Sequence, residues 1–263
     1  MPGLDDYREV CERAARAGGQ VLMDWAGKFQ VREKGPSDLV TEADLASQEV
    51  ISQTILGAFP RHGFLAEENS SIPSQEDGLR WIVDPLDGTT NYVHSIPAFC
   101  VSIALEQAGK LLVGTIYEPV ADQCYSATTG KGAMVNGRTM RVSNVSTLNQ
   151  AVVSMSLPTT INRSSVALAE FVEAALRAQS VRRMGSSALN LSYVAAGRFD
   201  GYWSSHSKIW DVAAGLLLVE EAGGVVTSEQ GGPFQVDTPD FIAAANLSLH
   251  KELREMLAEV RKK

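Results

Sequence analysis

Cysteine and histidine are scarce in this sequence, and neither residue forms a cluster. The 263 residues include three cysteines, Cys11, Cys100 and Cys124, which are odd in number and lack a C-x-x-C pair. We therefore expect reduced thiols in a cytoplasmic protein, and no neighbouring motif supports a catalytic cysteine. The four histidines are scattered along the chain, so any metal site is expected to use oxygen ligands.

Long apolar runs and an excess of basic residues are also missing. No segment approaches the roughly 20 consecutive apolar residues that span a bilayer, and the first ten residues lack the regions of a signal peptide. The balance of 23 basic and 31 acidic residues gives a net charge of −8, which argues against non-specific binding to nucleic acid or acidic membranes. The apolar content of 44% is ordinary for a globular protein.

Apolar periodicity predicts a different arrangement in each half of the chain. A helix over residues 5–26 and a second helix from residue 44 are followed by a short strand and a polar loop over residues 69–80. An antiparallel meander is predicted over residues 99–142, where Asn136-Gly137 is typical of a type I′ hairpin turn. After about residue 146, strands and helices alternate, which predicts helices packed over a sheet.

The stretch W-I-V-D-P-L-D-G-T-T-N, residues 81–91, points most directly to chemistry. Its apolar start predicts a buried strand, and Pro85 is expected to end that strand because proline cannot donate to a ladder. Asp84 and Asp87 would then face one point across a turn, where they repel each other unless a cation such as Mg²⁺ lies between them. A helix start at residues 88–90 would offer backbone N–H groups to a phosphate.

Three further acids each allow a structural and a functional interpretation. Asp44 stands three residues after Thr41, in the capping-box position of a helix. Glu67 follows a short apolar strand, as Asp84 does, and this parallel favours a functional role. Asp211 lies where a helix begins, and capping is a common use of aspartate there.

Together these motifs resemble the inositol monophosphatase family of Mg²⁺-dependent, lithium-sensitive sugar phosphatases. The resemblance covers nearly the whole chain, through D-L-V-T-E-A-D, D-P-L-D-G-T-T-N, G-K-G-A-x-x-N-G, W-D-V-A-A-G and E-A-G-G. It implies a layered αβαβα sandwich of mixed α+β and α/β character, with an antiparallel sheet in the first half and an α/β second half. Residues 1–145 would form one domain with most metal ligands, and residues 146–263 a second domain with Asp211 and the substrate pocket.

The resemblance also implies two to three Mg²⁺ ions in the cleft between these domains. Asp84 would bridge two ions, and the carbonyl of Leu86 would complete one of the two sites. Asp87 and Asp211 would hold the second ion. Glu67 would bind the first ion and contact a third, weaker one.

By the same resemblance, Asp44 and Thr89 would orient and activate the attacking water, with Glu67 as a further catalytic residue. Two cations acidify such a water and stabilise the attacking and leaving oxygens of an in-line displacement. The helix start at Gly88 would add N–H donors for the phosphate oxygens, so no covalent enzyme intermediate is needed. Glu68 is expected to lie behind the ligands or to be exposed.

Substrate choice is expected to depend mainly on the second half of the chain. The implied substrate-binding residues are Asp87, Gly88, Thr89, Gly185, Ser186, Ser187, Ser204 and Asp211. At Ser204 the inositol phosphatases carry a Glu that hydrogen-bonds sugar hydroxyls, so the change is either a harmless loop substitution or a sign of a different phosphate ester. His206 and Lys208 would add positive charge that favours a second phosphate, although an exposed loop lysine is common.

The sequence thus predicts an Mg²⁺-dependent hydrolase of a small sugar or inositol monophosphate, close to an inositol-1-phosphate phosphatase. Fructose 1,6-bisphosphate, a 3′-phosphonucleotide, NADP and histidinol phosphate remain alternative substrates, although we identify no platform for a bulky nucleotide. A non-catalytic binding protein on the same scaffold is disfavoured because the implied catalytic acids are all present. We expect a cytoplasmic homodimer whose partner is a small phosphate ester rather than nucleic acid or a membrane.

Overall fold

The computed structural model describes residues 2–35, 38–68 and 70–262. Residue 69, the first residue of the predicted polar loop, lies outside the described residues. Among the described residues, no helix combines the length and apolar content needed to cross a membrane.

The described residues form seven α-helices and fifteen strands. The helices are α1 (Leu4–Trp25), α2 (Glu42–Ala58), α3 (Thr89–Val93), α4 (Val166–Arg177), α5 (Ser187–Ala195), α6 (Ile209–Glu221) and α7 (Leu247–Val260). The strands are β1 (Val31–Gly35), β2 (Asp38–Thr41), β3 (Gly63–Ala66), β4 (Ser70–Ile72), β5 (Leu79–Asp87), β6 (Cys100–Gln107), β7 (Lys110–Glu118), β8 (Gln123–Thr128), β9 (Gly132–Val135), β10 (Arg138–Thr139), β11 (Val152–Met155), β12 (Ser180–Arg182), β13 (Gly201–Ser204), β14 (Val225–Thr227) and β15 (Phe241–Ala244).

In the described residues, the first half folds around an eight-stranded sheet of order β10-β9-β8-β7-β6-β5-β3-β4. Neighbouring strands of this sheet are antiparallel, except that β3 and β5 run parallel to each other. Asn136 and Gly137 have φ angles of 48° and 74°, as both central residues of a type I′ turn require, so the predicted meander and its hairpin are confirmed.

Helices α1 and α2 cover one face of this sheet, and two adjacent glycines allow their close approach. A Cβ on Gly18 would lie 2.7 Å from Ile51 of α2, and a Cβ on Gly19 would collide with the ring of Tyr117 on β7. The apolar face of α1, which includes Val10 and Leu22, packs with Ile51 into the same core. This contact sets the position of α2, whose first turn carries Asp44.

The second half contains a five-stranded sheet of order β12-β11-β13-β15-β14 within the described residues. Strands β12, β11 and β13 are parallel, whereas β15 is antiparallel to both β13 and β14. On β13, Tyr202 packs toward α5 and α6, and its neighbour Trp203 packs toward α4 and α7, because successive strand residues point to opposite faces.

Helices α5 and α6 lie between the two sheets and pack on both of them. Helices α1 and α2 form one outer layer, and α4 and α7 form the other. The order of layers is therefore helix, sheet, helix, sheet, helix, which confirms the predicted αβαβα sandwich. The division at residues 145 and 146 stays a prediction.

The structure corrects the prediction that Pro85 ends its strand. Strand β5 continues to Asp87, and its pairing with β6 shifts between Asp84 and Asp87. Pro85 therefore lies in a bulge, where the ladder does not require its missing N–H. The Ser47 hydroxyl of α2 donates to the Pro85 carbonyl at 3.0 Å and fixes this bulge.

Three short strands, β1, β2 and β4, were not predicted. The segment predicted as a polar loop contains β4, which pairs with the edge of β3, and the hairpin of β1 and β2 precedes α2. Sequences such as S-S-I lack the alternation of apolar residues that marks a half-buried strand. Their pairing depends on a neighbouring strand edge that a local pattern cannot reveal.

Candidate active site

Three elements deliver acids to one end of the large sheet. Because β3 and β5 are parallel, Glu67 directly after β3 lies beside the last residues of β5, and its N–H donates to Val83 O at 3.1 Å. Asp84 pairs with Ser102 in the ladder, and the Ser102 hydroxyl donates to the carbonyl of Trp210 at 3.1 Å. Asp211 follows Trp210 directly, so α6 brings it to the same place.

The electrostatics of these acids show that they share one site. Burial raises the pKa of Asp84 well above its ordinary value, and the charges of Glu67, Asp87 and Asp211 raise it further. Burial and then the charges of Asp87 and Glu67 likewise raise the pKa of Asp211. Four carboxylates that repel one another need a positive charge among them to remain ionised.

The turn after Pro85 is organised by Asp84 and Thr89. The backbone N–H of Leu86 donates to Asp84 Oδ1 at 2.9 Å, and the Thr89 hydroxyl donates to the Leu86 carbonyl at 3.1 Å. A carbonyl oxygen has two lone pairs, so the Leu86 carbonyl can accept this bond and still serve a cation. Gly88 has φ of 97° and α3 begins at Thr89, as the sequence predicted.

Asp87 joins the first half of the chain to the N-terminus of α5. Its Oδ2 accepts from the Ser186 hydroxyl and from the Ala188 N–H, both at 2.6 Å. Burial raises the pKa of Asp87 to about 6, although these hydrogen bonds oppose the rise. An ionised Asp87 is thus stabilised by a helix N-terminus and is held in a fixed orientation.

Asp44 has the predicted structural role and keeps one oxygen available. The Thr41 N–H and hydroxyl donate to Asp44 Oδ2 at 2.9 and 2.6 Å, which confirms the capping box. Among the described residues, Asp44 Oδ1 has no hydrogen-bond partner although the side chain is fully buried. Burial raises the pKa of Asp44 to about 6 against the hydrogen bonds from Thr41. Capping therefore occupies Oδ2 of Asp44 and leaves Oδ1 without a hydrogen-bond partner among the described residues.

The donor set of this site fits a hard divalent cation. It offers carboxylates and a carbonyl, with an orphaned buried oxygen on Asp44, and Mg²⁺ prefers such oxygen ligands. In the described ranges, no three or more His, Cys, Asp or Glu side chains are arranged so that they could together hold a metal ion. Burial and then repulsion from the neighbouring carboxylates raise the pKa values of Asp84 and Asp211, and a cation among these acids would offset both effects.

Comparison with known protein families identifies the family to which this chain is related. The model of the inositol monophosphatase family matches residues 4–263. The chain belongs to this family. Both the predicted resemblance and the predicted fold are confirmed.

Individual members of the inositol monophosphatase family are similar to this chain over most of its length. An inositol-1-monophosphatase of Mesorhizobium japonicum is 41% identical over 238 residues, which cover 89% of each protein. A fructose-1,6-bisphosphatase/inositol-1-monophosphatase of Aquifex aeolicus is 39% identical, and the match covers 100% of this chain and 98% of the Aquifex protein. The crystal structure of the extragenic suppressor protein suhB from Bartonella henselae superposes with a TM-score of 0.90 at 40% identity, covering 95% of this chain and 97% of that one.

In this member of the inositol monophosphatase family, Ser204 is part of a strand rather than of a loop. It is the last residue of β13 and is 1% exposed. Its oxygen accepts from the Ser207 hydroxyl at 2.8 Å and from the His206 N–H at 3.4 Å. His206 and Lys208 are exposed, and the Lys208 N–H donates to Asp211 Oδ2 at 3.2 Å.

Asn91 is a site residue whose role the sequence argument missed. Its amide donates to Ala98 O at 2.6 Å and to Met184 O at 2.8 Å, so it ties the segment before α5 to α3. Gly185 has φ of 80°, and a Cβ there would lie 3.0 Å from the Asn91 amide. Asn91 ends the motif D-P-L-D-G-T-T-N, so its position within the motif was the available signal.

Proposed function

We propose that this chain is a phosphoric monoester hydrolase that uses Mg²⁺ to release phosphate from a small sugar or inositol monophosphate. The observation that carries the proposal is the set of four acids, Glu67, Asp84, Asp87 and Asp211, for which burial and mutual repulsion disfavour the ionised forms unless cations lie among them. Membership of the inositol monophosphatase family and similarity to enzymes named inositol-1-monophosphatase support the same conclusion.

The ligands we propose for two to three Mg²⁺ ions are these four acids and the Leu86 carbonyl. The ions would supply Lewis-acid activation of water and neutralisation of the charge on phosphate. The chain itself fixes the ligand orientations, since the Leu86 N–H binds Asp84, the Lys208 N–H binds Asp211 and α5 binds Asp87.

Asp44 and Thr89 are the residues that we propose to act on the attacking water. A general base works best when its pKa lies near the operating pH, and burial raises the pKa of Asp44 to about 6. The Thr89 hydroxyl donates its proton to Leu86 O, which leaves its oxygen lone pairs to accept from a water. We further propose that Glu67 assists as a catalytic residue and that Gly88, Gly185, Ser186 and Ser187 line the substrate pocket.

A bisphosphate such as fructose 1,6-bisphosphate is the second candidate substrate. The chain has a neutral Ser204 where the family resemblance implies a glutamate, and exposed Lys208 and His206 lie in the following loop. Removal of one negative charge and addition of a cation at the pocket rim would favour the binding of a substrate that carries a second phosphate. The similarity to the bifunctional Aquifex aeolicus protein supports this alternative.

We also propose the wider properties that the family resemblance implied. They are lithium sensitivity, a homodimer, two domains at residues 1–145 and 146–263, and a cytoplasmic location. Cys11, Cys100 and Cys124 are buried free thiols, as a reducing compartment permits.

A phosphate-release panel tests the proposed function. Purified protein with Mg²⁺ would be assayed on inositol 1-phosphate, fructose 1,6-bisphosphate, 3′-phosphoadenosine 5′-phosphate, NADP, histidinol phosphate and phenyl phosphate. We expect hydrolysis of at least one sugar or inositol phosphate, its loss on chelation with EDTA, and inhibition by LiCl. Absence of release above background from every ester would refute the proposal.

A further inference from the structure

The carboxyl edge of the second sheet places two serines side by side. Strands β11 and β13 are parallel with Met155 opposite Trp203, and the Ser156 N–H donates to Trp203 O at 3.4 Å. Ser156 therefore lies next to Ser204, the position at which the family resemblance implies a Glu. Ligands of α/β sheets bind at the carboxyl ends of parallel strands, so Ser156 stands where a substrate would be contacted.

Ser156 belongs to a hydroxyl cluster made of Ser156, Ser187 and Tyr202. The Tyr202 phenol lies 2.6 Å from Ser156 Oγ, and Ser156 Oγ lies 3.4 Å from Ser187 Oγ. Tyr202 is 0% exposed, whereas both serines are half-buried. The cluster thus leads from the buried core to the surface of the site.

The protons of the hydroxyl cluster can be assigned from burial. Burial raises the pKa of Tyr202 to about 12, against hydrogen bonds from Ser156 and Ser187, so the phenol is neutral at physiological pH. A buried phenol O–H requires an acceptor, and Ser156 Oγ is the oxygen at 2.6 Å. With the buried Tyr202 donating outward to it, Ser156 is free to direct its own proton away from the core, toward Ser187 and the pocket.

The hydroxyl cluster adjoins the acids of the site. Ser187 is the first residue of α5 and stands between Ser186 and Ala188, both of which donate to Asp87 Oδ2. A phosphate held near Asp87 would therefore extend its sugar toward Ser187 and Ser156. No carboxylate is present at Ser204, so this wall of the pocket can donate hydrogen bonds that a carboxylate could only accept.

We propose that Ser156, oriented by Tyr202, is a specificity-determining residue that donates a hydrogen bond to an oxygen of the sugar or polyol part of the substrate. The proposal rests on the proposed phosphatase function and assigns the substrate contact that replaces the missing Glu. Tyr202 is a positioning residue because it acts through Ser156.

The test compares two substrates in Ser156→Ala. One is the sugar or polyol phosphate that the wild type cleaves best, and the other is phenyl phosphate, whose leaving group has no further oxygen. Loss of one neutral hydrogen bond should raise KM for the polyol ester about fivefold. KM for phenyl phosphate and both kcat values should stay unchanged.

Three companion variants separate recognition from structural damage. Ser156→Thr keeps a hydroxyl and should restore most of the preference for the polyol ester. Tyr202→Phe should raise KM as Ser156→Ala does, and the double variant should be no worse than Ser156→Ala alone. Ser154→Ala is the matched control, because Ser154 lies two residues earlier on the same face and donates to Arg182 O at 3.0 Å.

The outcomes distinguish this proposal from the proposed function. An active wild type whose ratio of KM values is the same in Ser156→Ala would overturn the role of Ser156 alone. A ratio that shifts equally in Ser154→Ala would also overturn it, since the effect would then be structural. A wild type inactive on every ester, phenyl phosphate included, would refute the phosphatase function and this proposal with it.

Discussion

Arg261, at the end of α7, holds two buried carboxylates, and its removal should destabilise the second half strongly. Its guanidinium donates to Glu229 at 2.8 and 2.9 Å and to Glu170 at 2.7 Å. The side chains of Glu170 and Glu229 are 2% and 8% exposed, so Arg261→Leu would leave two charges buried without a cation. Removing one partner of a buried pair costs about 3–5 kcal/mol.

The expected loss for Arg261→Leu is somewhat smaller than this range because the arginine is 30% exposed. Allowing for solvent screening, we expect about 2–4 kcal/mol in the free energy of unfolding. Arg177→Leu is the matched control, since Arg177 also pairs with two glutamates, at 2.6 and 2.7 Å, but on the surface. That variant should lose about 0–1 kcal/mol.

Urea unfolding followed by tryptophan fluorescence measures both variants under identical conditions. Adding Glu170→Gln to Arg261→Leu should recover part of the loss, because it removes one of the two unpaired charges. The reasoning is refuted if Arg261→Leu and Arg177→Leu differ by less than about 1 kcal/mol, the expected value of a surface pair. It is also refuted if the added Glu170→Gln worsens the defect.

Two further predictions concern single titratable groups. Burial lowers the pKa of His62, whose Nδ1 accepts from the Trp81 indole at 3.1 Å, so the unfolded state binds more protons below about pH 6.5. Stability should therefore fall as pH drops below that value, and His62→Gln should show a smaller fall in Tm between pH 7.5 and 5.5; an equal fall would contradict the prediction. Asp44→Asn keeps an acceptor for the cap but loses the base, so kcat should fall about 10²–10⁴-fold with little change in Tm. A kcat within tenfold of the wild type would exclude Asp44 as the base.

The layered sandwich was predicted from the family resemblance, whereas the acids of the site could be singled out because their signals are local. Asp84, Asp87 and Glu67 follow apolar strand segments, and the parallel pairing of β3 with β5 brings their ends together. The capping box of Asp44 and the turn at Asn136 are likewise determined by short stretches of sequence.

The features that escaped prediction depend on contacts between distant segments. Strand β5 continues past Pro85 because a bulge and a hydrogen bond from Ser47 accommodate the proline. Asn91 bridges to Met184, and Ser156 meets Tyr202, only after the two sheets are folded. Periodicity and turn composition carry no information on such register, so these residues were invisible in the sequence except as members of motifs.

The most direct test of the central claim is Mg²⁺-dependent phosphate release by wild type and Asp84→Asn. Asp84 lies among all the other acids of the site, so the variant removes the charge that the proposed ions share. Asp122→Asn, at an exposed turn, is the matched control. The account predicts metal-dependent release by the wild type and the control, near-complete loss in Asp84→Asn, and a folded variant. Substantial release by folded Asp84→Asn would contradict it.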